Sequence, residues 1–158
     1  MTAITPLQKE LRQRKPFAST AQECVVALMR TTDLLKRLTS PVVEAAGITL
    51  QQFNVLRILR GGGDEGLPTL EVADRMVEQT PGVTRLLDRL EAKGLVRRQR
   101  CQKDRRQHLC WITDQGREVL AGLDRPVLQA ADTSLAGLSD ADQKKLLQLL
   151  GALREAHQ

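Results

Sequence analysis

Residues 80–113 read TPGVTRLLDRLEAKGLVRRQRCQKDRRQHLCWIT. Nine Lys or Arg lie within them (Arg85, Arg89, Lys93, Arg97, Arg98, Arg100, Lys103, Arg105 and Arg106), against three acids (Asp88, Glu91 and Asp104), so the stretch carries a net +6. The whole chain carries +5, which leaves −1 for the other 124 residues. Charge gathered on one short stretch is the electrostatic footprint of a nucleic-acid-binding face.

The first half of the stretch has helical periodicity. Val83, Leu86, Leu87 and Leu90 recur at i, i+3, i+4 and i+7 and make an apolar face. Thr84, Arg85, Asp88 and Arg89 fall on the opposite face and point outward. Thr80 is placed to cap this helix and Pro81 suits its first position, where a missing N–H costs nothing. Gly94 after Lys93 suits a left-handed stop. A short helix presenting Thr and Arg near its N-terminus has the form of a major-groove recognition helix, and Arg85 and Arg89 are the residue type that reads guanine.

After Gly94 the period changes to that of strands. Leu95 to Cys101 and Gln107 to Thr113 read as a hairpin, with the polar run Gln-Lys-Asp-Arg-Arg at its tip. Arg105 and Arg106 at that tip could reach a phosphate or a narrow minor groove. A helix followed by a basic hairpin is the layout of a winged helix.

The segments VTRLLDRLEAKGLVRR, DRR and WITDQG resemble the MarR (multiple antibiotic resistance regulator) family of bacterial transcription factors. Upstream, GITLQQFNVLRIL and PTLEVADRM resemble the second and third helices of that family, and the likeness runs from Val25 to Leu153. The resemblance implies a mainly α fold with a small β wing, in which a winged helix-turn-helix domain is joined to a helical dimerisation region. On this chain it implies one MarR-type domain: a flexible arm over residues 1–18, a winged-helix DNA-binding lobe over 49–113, and dimerisation segments at 21–47 and 114–156. It further implies a DNA contact set of Thr80, Gly82, Thr84, Arg85, Asp88, Arg89, Lys103, Asp104, Arg105 and Arg106. In it the wing acid Asp104 pairs with a nearby arginine, although a solvated turn residue is the plain alternative. Arg106 would enter the minor groove and Arg105 would contact phosphate.

The rest of the chain fits. Val25, Leu28, Met29, Leu35 and Leu38 give a helical pattern over residues 21–38, and Pro41 is expected to begin a separate short piece. Thr49 is placed to cap a helix from Leu50 to Arg60. Residues 61–68 read as a loop. Its GGGDEG matches the spacing of a dinucleotide fingerprint but lacks the preceding strand and following helix which that motif needs. Thr69 to Met76 reads as the first helix of the helix-turn-helix. Thr113 is placed to cap a long helix to about Ala136, in which Pro126 should cause a kink or interruption. Ser139 with Asp142 opens the last helix. Leu146, Leu147, Leu149, Leu150 and Leu153 there make a face too wide for a solitary surface helix. In the family the terminal helices pair across a twofold axis, so Leu146, Leu150 and Leu153 are expected at a homodimer interface.

Composition excludes several classes. There is no apolar run long enough to span a bilayer and no signal-peptide core at the N-terminus, so a cytoplasmic protein with no membrane partner is expected. Three cysteines argue against a disulfide framework. With only Phe17, Phe53 and Trp111 as aromatics, the chain has little on which to stack bases, which favours duplex DNA over single strands or RNA. The two histidines, His108 and His157, form no zinc-like spacing with Cys or Asp, so no metal or cofactor is expected. No nucleophile–base set is legible, and an enzyme is not expected.

The expected function is a DNA-binding transcriptional regulator: a ligand-responsive repressor acting as a homodimer on a palindromic operator. Many members of the resembled family bind a small aromatic acid or another small-molecule effector, and the resemblance places Thr84 and Arg98 where they could hold a carboxylate. The alternative is a thiol-based redox sensor of the same fold. Against it, Cys24 falls one residue from the position of the family's reactive cysteine and no Tyr is present to poise it, so a buried, inert Cys24 is expected. Cys101 and Cys110, one on each wing strand, could face each other across the hairpin.

Overall fold

In a computed structural model the protein is described over residues 4–79, 82–101 and 107–157. It divides into two compact units, Met1–Leu38 and Thr39–Gln158, with the boundary inside helix α2 (Thr20–Glu44).

The first unit holds α1 (Pro6–Glu10) and most of α2. The arm expected to be flexible thus contains a short helix. Thr5 and Gln8 form a reciprocal capping box, and Gln8, almost fully buried, also donates from Nε2 to the Lys15 carbonyl. Glu10 accepts from Arg30 Nε at 2.8 Å. Cys24 is exposed, contrary to expectation, as are most positions of α2 in this unit. Val25, Met29 and Leu34 on the same helix are exposed too.

Pro41 does not begin a separate piece but lies inside α2, which ends three residues later at Glu44. A proline removes one N–H, so Pro41 costs α2 a single intrahelical bond, which the rest of the helix tolerates.

The second unit carries the core. α3 (Leu50–Arg60) starts on a Thr49–Gln52 capping box and buries Phe53, Val55, Leu56 and Leu59. α4 (Thr69–Asp74) and α5 (Val83–Ala92) follow, and Val72, Leu86, Leu87 and Leu90 join the same cluster. α6 (Asp114–Leu135) is capped by Thr113 and contributes Leu120 and Leu123. α6 runs through Pro126 without interruption. Pro126 is exposed, as is Gly122, whose carbonyl would have been its partner, so water can take that place. α7 (Asp140–Glu155) begins at Ser139, whose hydroxyl accepts from the Asp142 N–H.

The sheet has three antiparallel strands in the order β1 (Leu67–Pro68), β3 (His108–Ile112), β2 (Val96–Arg100). β1 lies in the stretch read as a loop. Two residues have no periodicity to read, and they are a strand only because Leu67 and Pro68 pair with Cys110 and Leu109. The fold is a winged helix: mainly helical, with a small antiparallel sheet behind the helix-turn-helix.

Candidate nucleic-acid interface

Helix α5 is positioned by its apolar face. Val83, Leu86, Leu87 and Leu90 are buried, and Thr84, Arg85, Asp88 and Arg89 are exposed, as the periodicity requires. The helix begins later than expected. Its N-cap is Gly82, at φ 110°, with no side-chain cap, in place of Thr80. A left-handed entry is open to glycine at little cost. The C-terminus closes as a Schellman motif: the Gly94 N–H (φ 72°) donates to Glu91 O at 2.9 Å and the Leu95 N–H to Leu90 O at 3.0 Å. That turn delivers the chain straight into β2.

Arg85 and Arg89 make no ion pair among the described residues, so their guanidinium groups are available to an outside partner. Thr80, Pro81, Lys103, Asp104, Arg105 and Arg106, all expected to contact or support contact with DNA, lie outside the described residues.

The wing strands are held at their base by Trp111. Arg97, opposite it in the register, stacks over the indole with its guanidinium carbon 4.1 Å from the ring centroid. Trp111 Nε1 donates to the Asp64 carbonyl at 2.9 Å. On the loop side, a Cβ at Gly66 would fall 2.4 Å from the ring, so the GGGDEG loop serves close approach to the tryptophan.

Arg98, in β2, makes contacts that the sequence did not reveal. Its Nε and Nη2 donate to Glu91 Oε2 at 3.0 and 2.8 Å, its Nη2 to Asp88 Oδ1 at 2.5 Å, and its backbone N–H to Glu91 Oε1 at 3.1 Å. Burial opposes the Arg98 charge, but its hydrogen bonds to Glu91 and then to Asp88 more than offset it, and its pKa stands above the usual guanidinium value. The signal available in the sequence was only two acids at i, i+3 and a cation seven residues on, which names no contact.

Thr84 and Arg98, the pair expected at an effector site, do line one cavity of about 610 Å³, together with Thr69, Glu71, Asp74 and His108. Cys110 is fully buried near it, and burial pushes its thiol pKa up while the Thr69 hydroxyl pulls it down. Cys101 and Cys110 do not face each other: Cys110 is opposite Arg98, and the Cys101 N–H pairs with the Gln107 carbonyl. Cys110 is thus three residues beyond the position opposite Cys101, and an odd offset puts the two side chains on opposite faces. Among the described residues no group of His, Cys, Asp and Glu is placed to hold a metal.

α7 has no buried residue. Leu146 and Leu150 are half-buried, and Leu147, Leu149 and Leu153 are exposed. No helix among the described residues is long and apolar enough to cross a membrane.

A family model described as MarR family matches residues 46–107, a span that takes in α3, α4, α5 and β2. The HTH-type transcriptional repressor MdtR of Bacillus subtilis (strain 168) is 35% identical over 121 residues, covering 65% of this chain and 77% of that one. The chain belongs to the MarR family. A MarR transcription factor from Planctomyces limnophilus, known from its crystal structure, superposes with a TM-score of 0.67 at 36% identity, covering 87% of this chain and 99% of that one. The HTH-type transcriptional regulator TtmR of Methylorubrum extorquens (strain PA1) is 33% identical over 108 residues, 68% of this chain, and the chain spans about half (53%) of TtmR's length. As a MarR protein the chain is a DNA-binding transcription regulator with a winged helix-turn-helix.

Proposed function

We propose that this MarR protein is a homodimeric repressor that reads a twofold duplex site with α5 and is relieved by a small molecule, and that it is not an enzyme. The observation that carries the reading is the outward face of α5, where Arg85 and Arg89 stand exposed and unpaired among the described residues. Such guanidinium groups take guanine O6 and N7 in the major groove. A twofold protein matches a palindromic site, and the uncovered leucines of α7 supply an apolar surface for a second copy. The contact set extends to Gly82 and Thr84 at the start of the same helix and to the wing tip, with Arg106 in the minor groove, while Asp88, expected to contact DNA, is instead held by Arg98. The cavity beside Thr84 and Arg98 is the effector site in this reading. An acid binding there must compete with Glu91 and Asp88 for Arg98.

The experiment is selection of duplexes from a random pool, followed by salt titrations of two variants. Arg85→Ala should cost roughly 1–3 kcal/mol per half-site on the selected operator and relax base preference at one position. Arg106→Ala should weaken operator and scrambled duplex alike and reduce the salt slope by about one unit. Selection of non-palindromic DNA, or full sequence preference in Arg85→Ala, would refute the reading.

A further inference from the structure

Helix α5 is electroneutral by itself. Between Val83 and Ala92 it carries Arg85 and Arg89 against Asp88 and Glu91. Two carboxylates one turn apart on a helix that lies against phosphates subtract from the attraction its arginines provide. Asp88 is the more exposed of the two and shares the outward face with Thr84 and Arg85.

Both acids are held by one cation that the helix does not own. Arg98 sits on β2 with its side chain only 18% exposed, so its position is set before any ligand arrives. Glu91 grips it three times, through Nε, Nη2 and the backbone N–H. Arg98 Nη2 then reaches Asp88. The geometry orders the two roles: Glu91 orients Arg98, and Arg98 restrains Asp88. With Arg98 docked, the helix and its borrowed cation carry +1 where the helix alone carries zero.

We infer that Arg98 is a positioning residue for DNA recognition: it neutralises Asp88 and Glu91 and draws the Asp88 carboxylate toward β2, giving the reading face of α5 a net positive charge that its own sequence lacks. The inference rests on the reading of α5 as the operator-facing helix. Asp88 on this view contacts Arg98, not a base, although an aspartate in the major groove could accept from cytosine.

The test uses the full chain on the selected operator and on a scrambled duplex across a salt series. Arg98→Gln should weaken both duplexes about tenfold at low salt, with the deficit shrinking as ionic strength rises. Adding Asp88→Asn to Arg98→Gln should restore most of the loss and leave the operator-to-scrambled ratio unchanged. A purely structural arginine would not be rescued by removing a charge elsewhere. The inference is overturned if the double variant binds no better than Arg98→Gln, or if Asp88→Asn alone lowers the operator-to-scrambled ratio. Should circular dichroism find Arg98→Gln unfolded, Asp88→Asn decides with Arg98 intact. It should raise affinity for both duplexes by roughly two- to fivefold at low salt, and no gain overturns the inference. Arg85→Ala, run alongside, separates the two levels. Retained sequence preference there removes α5 as the reader and this inference with it; lost preference combined with a failed rescue removes only the role of Arg98.

Discussion

Arg60 and Asp124 meet in a two-pronged ion pair, Nη1 to Oδ2 at 2.8 Å and Nη2 to Oδ1 at 2.9 Å. It joins the last turn of α3, in the helix-turn-helix core, to the middle of α6. The hydrogen bonds from Arg60 hold the Asp124 carboxyl below its usual pKa, against a small opposing effect of burial.

The pair makes stability depend on pH in a defined direction. A carboxyl whose folded pKa is depressed adds stability above its unfolded pKa of about 3.9, and loses it as pH falls through the folded value. Asp124 is half exposed, so the contribution is discounted to about 0.5 kcal/mol at pH 7. Asp124→Asn should be less stable than the parent by that amount at neutral pH, and the two denaturation curves should converge below pH 4. A difference that stayed constant from pH 7 to pH 3 would contradict the assignment.

Gly116 tests packing against propensity. It lies in the first turn of α6, where alanine would favour the helix by about 1 kcal/mol. A Cβ there would fall 2.3 Å from the Leu95 carbonyl oxygen and 2.8 Å from Ile112 Cγ1. The Leu95 carbonyl also accepts from the Thr113 N–H at 3.1 Å and cannot shift without loosening the start of α6. Overpacking of about 1–3 kcal/mol outweighs the propensity gain. Gly116→Ala should therefore melt lower than the parent, and a higher melting temperature would show that the backbone yields freely.

Leu150→Glu tests the dimer. Leu150 is half-buried within one chain, and the exposed Leu147 and Leu153 lie beside it. A carboxylate there should be tolerated by a monomer only poorly and by an apolar interface not at all. Light scattering should give monomer or aggregate, with operator binding lost. A stable monomer that kept full operator affinity would remove α7 from the interface.

The thiols should differ in reactivity. Cys24 is exposed, Cys101 half-buried and Cys110 buried with its thiol pKa raised. Thiolate-selective labelling of native protein should mark Cys24 first and leave Cys110 until unfolding. Because Cys101 and Cys110 are out of register, peroxide should form no bridge between them and a Cys101→Ser, Cys110→Ser variant should regulate normally. Loss of peroxide-dependent DNA release in that variant would favour the thiol-sensing alternative.

The sequence by itself determined several features whose signal lies within one helix turn of its cause. The α5 stripe of Val83, Leu86, Leu87 and Leu90 is read from spacing, because side chains at 3.6-residue intervals share one face. Thr49, Thr113 and Ser139 were legible as caps, and Gly94 as a stop, because each bonds or turns within a few residues of itself. Tertiary structure alone decided what depends on partners distant in the chain. Leu67 and Pro68 are a strand only beside β3. Pro41 and Pro126 lie within continuous helices, although each lacks the N–H of a regular turn. Gly82 displaced Thr80 as the cap of α5 where the turn enters left-handed. Arg98 finds Asp88 and Glu91 only because the Schellman turn at Gly94 folds β2 back along α5. Local signals survive in a linear reading because their energy is local. Pairings across the fold do not, since the distance between two charges is fixed by packing that no single segment contains.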